Sequence, residues 1–175
     1  MMSKEKKEET KDFKYYVKEI VPYILVIVLV LLVKRFIISP VNVIGSSMYS
    51  TLHDKDIMIL NETAYYFKDI KRFDIVVVKA RNELIIKRVI GLPGEKIKYE
   101  KGKLYINGKY VEENFDHEGT DDFAEVKLGK NKYFVMGDNR DNSMDSRYFG
   151  PFDKKSIRGK TTFTVFPFNR FGKKK

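Results

Sequence analysis

The sequence contains no cysteine, no tryptophan and only two histidines, His53 and His117, among its 175 residues. The absence of cysteine excludes disulfide bonds, zinc–thiolate sites and thiol nucleophiles. With two histidines, a histidine-based metal cluster is not expected, and serine chemistry has few imidazole bases available to it. The sequence therefore favours a lysine as the general base for any serine chemistry. We expect no metal ion and no cofactor.

The 24 acidic residues are fewer than the 34 lysines and arginines, which leaves a formal net charge of +10. Much of the excess lies at the ends, with six lysines in the first eighteen residues and three more at Lys173–Lys175. Charge alone does not distinguish a nucleic-acid partner from anionic lipid. Because the basic N-terminal stretch precedes a long apolar segment, we interpret it as lipid-facing and expect no nucleic-acid partner.

The apolar segment is long enough to cross a membrane. Every residue from Ile20 to Val33 except Pro22 is apolar or aromatic. Counted from Tyr15, the segment would be about 28 Å long as a helix. It has no polar stripe of helical period, which argues against a buried core helix. A cleavable secretory signal is the other alternative, but charged and bulky residues follow where a cleavage site needs small ones.

The lysines before this segment outnumber Lys34 and Arg35 after it. By the positive-inside tendency, the N-terminus then lies in the cytoplasm. We therefore predict a charged cytoplasmic tail (1–14), a transmembrane signal-anchor (15–38) and an extracytoplasmic domain (39–175). The predicted protein passes through the cell membrane once.

Beyond the anchor, short apolar runs alternate with turns, a pattern typical of strands. The main runs are Val41–Ile44, Asp56–Leu60, Asp74–Lys79 and Leu84–Ile90. Lys101-Gly102 and Asn107-Gly108 are hairpin signals. The pattern predicts a mainly β fold, with an antiparallel β-sheet catalytic domain, a hairpin-rich insertion at about 97–133 and the transmembrane helix in front of it.

Three separated islands contain the residues that indicate chemistry. The first holds Ser47, the second places Lys87 inside an apolar strand, and the third runs from Gly137 to Arg147. Taken singly, each has an ordinary explanation: a plain turn, an exposed lysine on an edge strand and a loop that bonds its own backbone. Since Lys87 and Arg88 are neighbours on a strand, one of the two charges must face inward or into a cleft.

Together, the islands resemble the serine, lysine and Gly-Asp-Asn-Arg boxes of bacterial type I signal peptidases. Arg72–Val77 resembles the box that lies between them in that family. The resemblance covers the anchor and nearly all of the remaining chain. It implies a membrane-bound serine endopeptidase that removes signal peptides from exported preproteins. It also implies that Ser47 is the nucleophile, that Lys87 is the general base, and that Ser143 and Asp145 order the site.

A lysine base must be neutral, yet an unperturbed amine with a pKa of about 10.4 is neutral in only about one molecule in 2,500 at pH 7. Burial has to lower the pKa, and a value near 8 needs roughly 3 kcal/mol of differential desolvation. We expect Ser143 to fix the amine by a hydrogen bond. The Ser47 N–H is the first choice of oxyanion donor. Gly45 stands where some family members have a hydroxyl residue, so the second donor is not identified.

The substrate is expected to bind as an added strand beside Val41–Ile44. The side chains expected to line its pockets are Val41, Val43, Met48 and Ile86. The resemblance also implies membrane lipid as a partner and proximity to the secretion translocon. Ser50 is a departure, because the family usually has proline there.

Arg140 and Arg147 are expected to form ion pairs with Asp138 or Asp145, and His53 is expected to be a surface loop residue. One alternative is a catalytically inactive, membrane-anchored binding module of the same fold. Another is a self-cleaving Ser-Lys regulator of the repressor kind, against which the membrane anchor argues because such proteins are usually soluble and carry a DNA-binding module.

Overall fold

The computed structural model describes residues 13–36 and 38–174, with side chains described for 15–32 and 39–174. The chain divides into two units, Met1–Phe36 and Ile37–Lys175. All but the last two residues of the predicted cytoplasmic tail lie outside the described residues.

The first unit contains one helix, α1 (Phe13–Phe36). The stretch from Tyr15 to Leu32 has a mean hydropathy of 2.0 and is long and apolar enough to cross a membrane. The predicted anchor extended to residue 38, but Ile38 already belongs to the first strand. Pro40 accounts for the difference, because a proline disfavours helical backbone at the residue before it and so favours an extended Ser39.

The second unit consists mainly of strands, which confirms the predicted mainly β class. The strands are β1 (Ile38–Asn42), β2 (Ile57–Asn61), β3 (Ile75–Ala80), β4 (Glu83–Gly91), β5 (Lys96–Glu100), β6 (Lys103–Ile106), β7 (Lys109–Tyr110), β8 (Phe123–Lys127), β9 (Lys132–Met136), β10 (Phe152–Asp153), β11 (Ile157–Phe166) and β12 (Gly172–Lys173). A short helix, α2 (Ser146–Phe149), precedes β10, and 3-10 turns occupy Lys154–Ser156 and Phe168–Arg170.

The main sheet has the order β1-β2-β11-β3-β4-β9-β10, with β12 paired to β11. All of its described pairs are antiparallel. Strand β11 thus lies between β2 and β3, although it comes late in the chain. This order brings β1, which precedes Ser47, and β4, which carries Lys87, into one sheet.

The second sheet has the order β7-β6-β5-β8 and forms the hairpin-rich insertion. Its two turns are the predicted ones: φ is 53° at Lys101 and 68° at Gly102, and 50° at Asn107 and 77° at Gly108. Positive φ at both central residues is what the common two-residue hairpin turn requires, and Asn and Gly reach it at low cost. β9, which follows the insertion, returns to the main sheet.

Strand β3 shows how the main sheet is covered on both faces. Ile75 and Val77 pack into one apolar cluster with Ile86, whereas Val76 and Val78 pack into another with Val89. Because successive side chains point to opposite faces, both faces of this strand are buried. A polar side chain on the neighbouring part of β4 is therefore enclosed.

Candidate active site

Ser47 lies in a tight turn that follows β1. The Tyr49 N–H donates to the Ser46 carbonyl over 2.9 Å, and the Leu52 N–H donates to the Met48 carbonyl over 2.8 Å. Met48 is buried and fastens the turn to the core, while Ser47 remains half-exposed. The nucleophile candidate is thus fixed in position yet reachable from solvent.

Lys87 is enclosed within β4, with 2% of its surface exposed. Its Nζ lies 2.5 Å from the Ser47 Oγ, within hydrogen-bond distance. The two residues are 40 positions apart in the sequence. The folded chain therefore brings together the two residues that the sequence motifs singled out.

Burial lowers the pKa of Lys87 from 10.5 to about 8, because removal from water disfavours the charged amine. The negative charges of Asp145 and Asp138 oppose this change, and the positive charge of Arg147 adds to it. The result agrees with the pKa that the sequence argument required of a lysine base. A large fraction of the amine is then neutral slightly above neutral pH.

Asp145 organises the loop from Gly137 to Arg147. Its carboxylate accepts the Gly137 N–H over 3.0 Å, caps α2 through the Arg147 N–H over 3.1 Å, and pairs with the Arg147 guanidinium over 2.8 Å. Burial opposes ionisation of Asp145, but the bonds from Arg147 and Gly137 hold its pKa below the ordinary value. This confirms one of the predicted ion pairs, Arg147 with Asp145.

Gly137 lets this loop approach the Ser47 turn closely. A Cβ built at Gly137 would lie 2.3 Å from both the Ser47 carbonyl oxygen and the Ser143 Oγ, closer than any real Cβ contact. The Asn139 N–H also donates to the Ser47 carbonyl over 3.2 Å. Asn142 adds a side-chain bond to the Ser46 Oγ over 2.9 Å. The loop therefore holds the Ser47 turn from one side.

The predicted hydrogen bond from Ser143 to the Lys87 amine is wrong. The Ser143 Oγ is buried and makes no well-formed hydrogen bond among the described residues, but it acts on the Asp145 carboxylate and helps to lower the pKa of Asp145. The amine bonds instead to the Ser47 Oγ. The Ser143 side chain packs beside Gly137, where an added Cβ would lie 2.3 Å from its Oγ.

Arg88 and Asp138 form a buried ion pair that the sequence reasoning did not assign. Two bonds join the guanidinium to the carboxylate, over 2.8 and 2.6 Å, and both side chains are almost fully buried. The Arg88 guanidinium also lies 4.0 Å over the Phe115 ring. Strand alternation had required one inward-facing charge at 87 or 88, and the structure buries both.

Arg140 pairs with Glu113, over 2.6 Å, and not with Asp138 or Asp145 as predicted. The Arg140 guanidinium also donates to the Tyr99 hydroxyl over 2.7 Å. Both partners belong to the insertion, where Tyr99 lies on β5 and Glu113 lies in the irregular segment after β7. Asp138 was not available because it is occupied by Arg88.

The four predicted pocket residues share one apolar region. Val43, Met48 and Ile86 are buried in a single cluster, and half-buried Val41 packs against it. The Ser47 N–H donates to no hydrogen bond among the described residues and so stays free for an oxyanion. His53 is half-buried and stacks on Tyr49 with ring centroids 4.9 Å apart. In the described part of the chain, no cluster of acidic residues or histidines is placed to hold a metal ion.

The sequence of this chain is similar to those of a known protein family. The family described as "Signal peptidase, peptidase S26" matches residues 14–166. A signal peptidase I from Bacillus amyloliquefaciens is 46% identical over 164 residues, which covers 87% of this chain and 89% of the relative. Signal peptidase I S from Bacillus subtilis is 43% identical over 186 residues, which covers 98% and 99%. A crystal structure of a signal peptidase I from Enterococcus faecalis, 37% identical, covers 53% of this chain and 97% of its own, with a TM-score of 0.48.

Proposed function

Since the chain belongs to the signal peptidase family, peptidase S26, we propose that it is a membrane-bound serine endopeptidase that removes signal peptides from exported preproteins. The observation that carries the proposal is the 2.5 Å distance between the Lys87 Nζ and the Ser47 Oγ. Nothing observed favours the inactive binding module. Within this proposal, Ser47 is the nucleophile and Lys87 is the general base.

The neutral Lys87 amine accepts the hydroxyl proton of Ser47 while the Ser47 Oγ attacks the carbonyl carbon of the scissile bond. The Ser47 N–H donates to the oxyanion that forms, an interaction worth about 3 kcal/mol when well placed. The Lys87 ammonium then gives its proton to the leaving amine, which departs as the new N-terminus. An acyl-enzyme on Ser47 remains, and water activated by Lys87 hydrolyses it.

Asp145 and Ser143 act in this proposal by positioning. Asp145 fixes the loop that holds the Ser47 carbonyl, through its bond from the Gly137 N–H. Ser143 fills the space beside Gly137. The predicted pocket residues Val41, Val43, Met48 and Ile86 would limit the size of the substrate side chains that precede the bond. Half-buried Val41 is the one of them most open to contact.

The helix α1 anchors the protein in the membrane. We propose that its N-terminus is cytoplasmic, because the six lysines in the first eighteen residues outnumber Lys34 and Arg35 at the other end of the apolar stretch. The catalytic domain then faces outward, in contact with membrane lipid and near the secretion translocon, where preproteins emerge. Labelling of single introduced cysteines with an impermeant reagent on intact cells would test this orientation.

The proposed chemistry is tested with the full-length protein in detergent and a purified preprotein. Ser47→Ala and Lys87→Ala should each abolish cleavage while leaving the thermal unfolding temperature close to that of the parent. Ser156→Ala and Lys79→Ala are matched controls, since they remove the same groups outside the site and should retain activity. Cleavage retained by either site variant would reject the dyad.

A further inference from the structure

A cleft of about 890 Å³ lies between the second sheet and the loop 137–147. One wall is formed by β8, through Phe123, Ala124 and Val126, and the other by the loop and α2, through Ser143 and Tyr148. Since β8 is the outermost strand of its sheet, we call this the β8 cleft. Its volume is in the range of sites that enclose a ligand of several residues or a drug-sized molecule.

The β8 cleft lies close to the Ser47 turn, although neither Ser47 nor Lys87 is among the residues that line it. Ser143, which lines the cleft, is separated from the Ser47 carbonyl only by Gly137, since one added Cβ would lie 2.3 Å from each of them. The same loop supplies the charges of Asp145 and Arg147 that act on Lys87. The cleft therefore begins on the side of Ser47 where the loop and Lys87 lie.

The direction of the proposed reaction assigns this side to the leaving group. The base that takes the Ser47 proton must return it to the departing amine, so that amine has to lie next to the Lys87 Nζ. The chain that continues from the amine then runs toward the loop 137–147. The residues before the bond lie instead by β1. We infer that the β8 cleft binds the first residues of the mature protein, those that follow the scissile bond.

This inference rests on the proposed function and deepens it by assigning a second recognition surface. The β8 wall of the cleft offers apolar contact through Phe123 and Val126, and Phe134 stacks on Phe123. Filling it with a substrate segment would add binding energy remote from the reacting bond, which an enzyme can use to position the scissile carbonyl. Substrates that extend several residues past the bond should therefore be cleaved faster than those that end one residue after it.

The charge at the rim of the cleft gives the segment a preferred character. Asp121, Asp122 and Asp141 line the rim and are exposed. The two cleft arginines are already paired, Arg140 with Glu113 and Arg147 with Asp145. The unbalanced charge of the rim is thus negative. Mature segments that carry lysine should bind better than those that carry glutamate.

The test uses the full-length protein in detergent and peptides that are identical up to the scissile bond. One peptide has a single residue after the bond, and two longer peptides have about six residues, with either lysines or glutamates among them. For the parent, kcat/KM should be about tenfold higher for the long lysine peptide than for the short one. The lysine peptide should exceed the glutamate peptide by about threefold at low salt, and less at high salt.

Two variants locate the effect. Ala124→Trp fills the cleft and should remove the gain with length, whereas its control Lys127→Trp, on the same strand but outside the cleft, should keep it. Asp121→Lys should reverse the preference for lysine, while Glu112→Lys, an exposed acidic residue outside the cleft, should not. Unfolding temperatures of all four proteins report whether each variant is folded. If Ala124→Trp does not fold, the charge reversal by Asp121→Lys still tests whether the cleft binds the segment after the scissile bond.

Several results would overturn the inference. A parent enzyme that cleaves short and long peptides equally well does not use the cleft. Equal losses on all peptides in Ala124→Trp would indicate damage to the dyad and not loss of a subsite. Failure of the folded parent to cleave even the short peptide would instead refute the proposed function, and the inference with it, so the two failures are distinguishable.

Discussion

Two charged residues of the loop 137–147 act on Lys87 with opposite signs, and their removal should move the pH profile in opposite directions. The carboxylate of Asp145 raises the pKa of Lys87, and the guanidinium of Arg147 lowers it, both against a larger effect of burial. Asp145→Asn leaves the positive charge uncompensated and should lower the pKa of Lys87 further. Arg147→Gln leaves the negative charge uncompensated and should raise it.

The starting point for these changes follows from the buried position of Lys87. The difference between its ordinary pKa of 10.5 and the value of about 8 in the protein corresponds to about 3 kcal/mol against the charged amine. With a pKa of about 8, roughly one amine in eleven is neutral at pH 7, compared with about one in 3,000 for an unperturbed lysine. Burial therefore raises the fraction of competent enzyme by a factor of about three hundred.

The assay is kcat/KM for one peptide substrate between about pH 6 and pH 10, measured for the parent and both variants. Because the neutral amine is the active form, kcat/KM should rise about tenfold per pH unit on the acidic side and level off above about pH 8. The inflection should move to lower pH in Asp145→Asn and to higher pH in Arg147→Gln. Both variants also loosen the loop, which lowers the plateau but leaves the direction of the shift unchanged.

A flat parent profile between about pH 6 and pH 9 would refute the assignment of Lys87 as the base. Movement of both inflections in the same direction would refute the electrostatic account, even if Lys87 were the base. Lys130→Gln is a suitable control, because it removes a charge from an exposed lysine elsewhere in the domain and should not move the inflection.

Three further changes test how the site is held. Arg88→Met should lower the free energy of unfolding by about 3–5 kcal/mol in denaturant titrations, since it leaves Asp138 buried and unpaired, and an unchanged midpoint would contradict this. Ser50→Pro should lower the unfolding temperature, because φ is 72° at Ser50 and proline requires a φ of about −65°, whereas Ser50→Gly should be tolerated. Gly137→Ala should lower kcat/KM about a hundredfold by displacing the Ser47 carbonyl, and activity equal to the parent would show that the turn can yield.

Local patterns predicted most of the strands and both insertion turns. Runs such as Leu84–Ile90 correspond to β4 within one residue at each end, because a short run rich in β-branched residues that ends at a Gly-Leu-Pro-Gly turn leaves little choice. Lys101-Gly102 and Asn107-Gly108 specify their turns because both residues of each pair adopt positive φ. The four-residue helix α2 was not expected, since it depends on a cap by Asp145 and is too short to show a period.

Partners distant in sequence were the ones that local patterns missed. Glu113 lies in an irregular segment, and only the folded insertion brings it to Arg140, 27 residues further on. The Ser143 hydroxyl has the right chemistry to bond an amine, but the loop turns it toward Gly137. Motifs thus identified the chemical groups of the site, whereas the contacts between them depend on how the loops pack. Family members usually have proline at the position of Ser50, and that proline gave no indication of the left-handed backbone found at Ser50 in this chain.

The place of β11 in the main sheet has a consequence for biogenesis. Residues 157–166 complete the sheet between β2 and β3, so those two strands have no partner on their facing edges until this late segment arrives. Chains are synthesised and folded from the N-terminus, and within the described ranges the partners of β4 are β3 and β9. Assembly of the site that joins Ser47 to Lys87 therefore waits until nearly the whole polypeptide has been synthesised, and an incomplete chain has no means of cutting its neighbours.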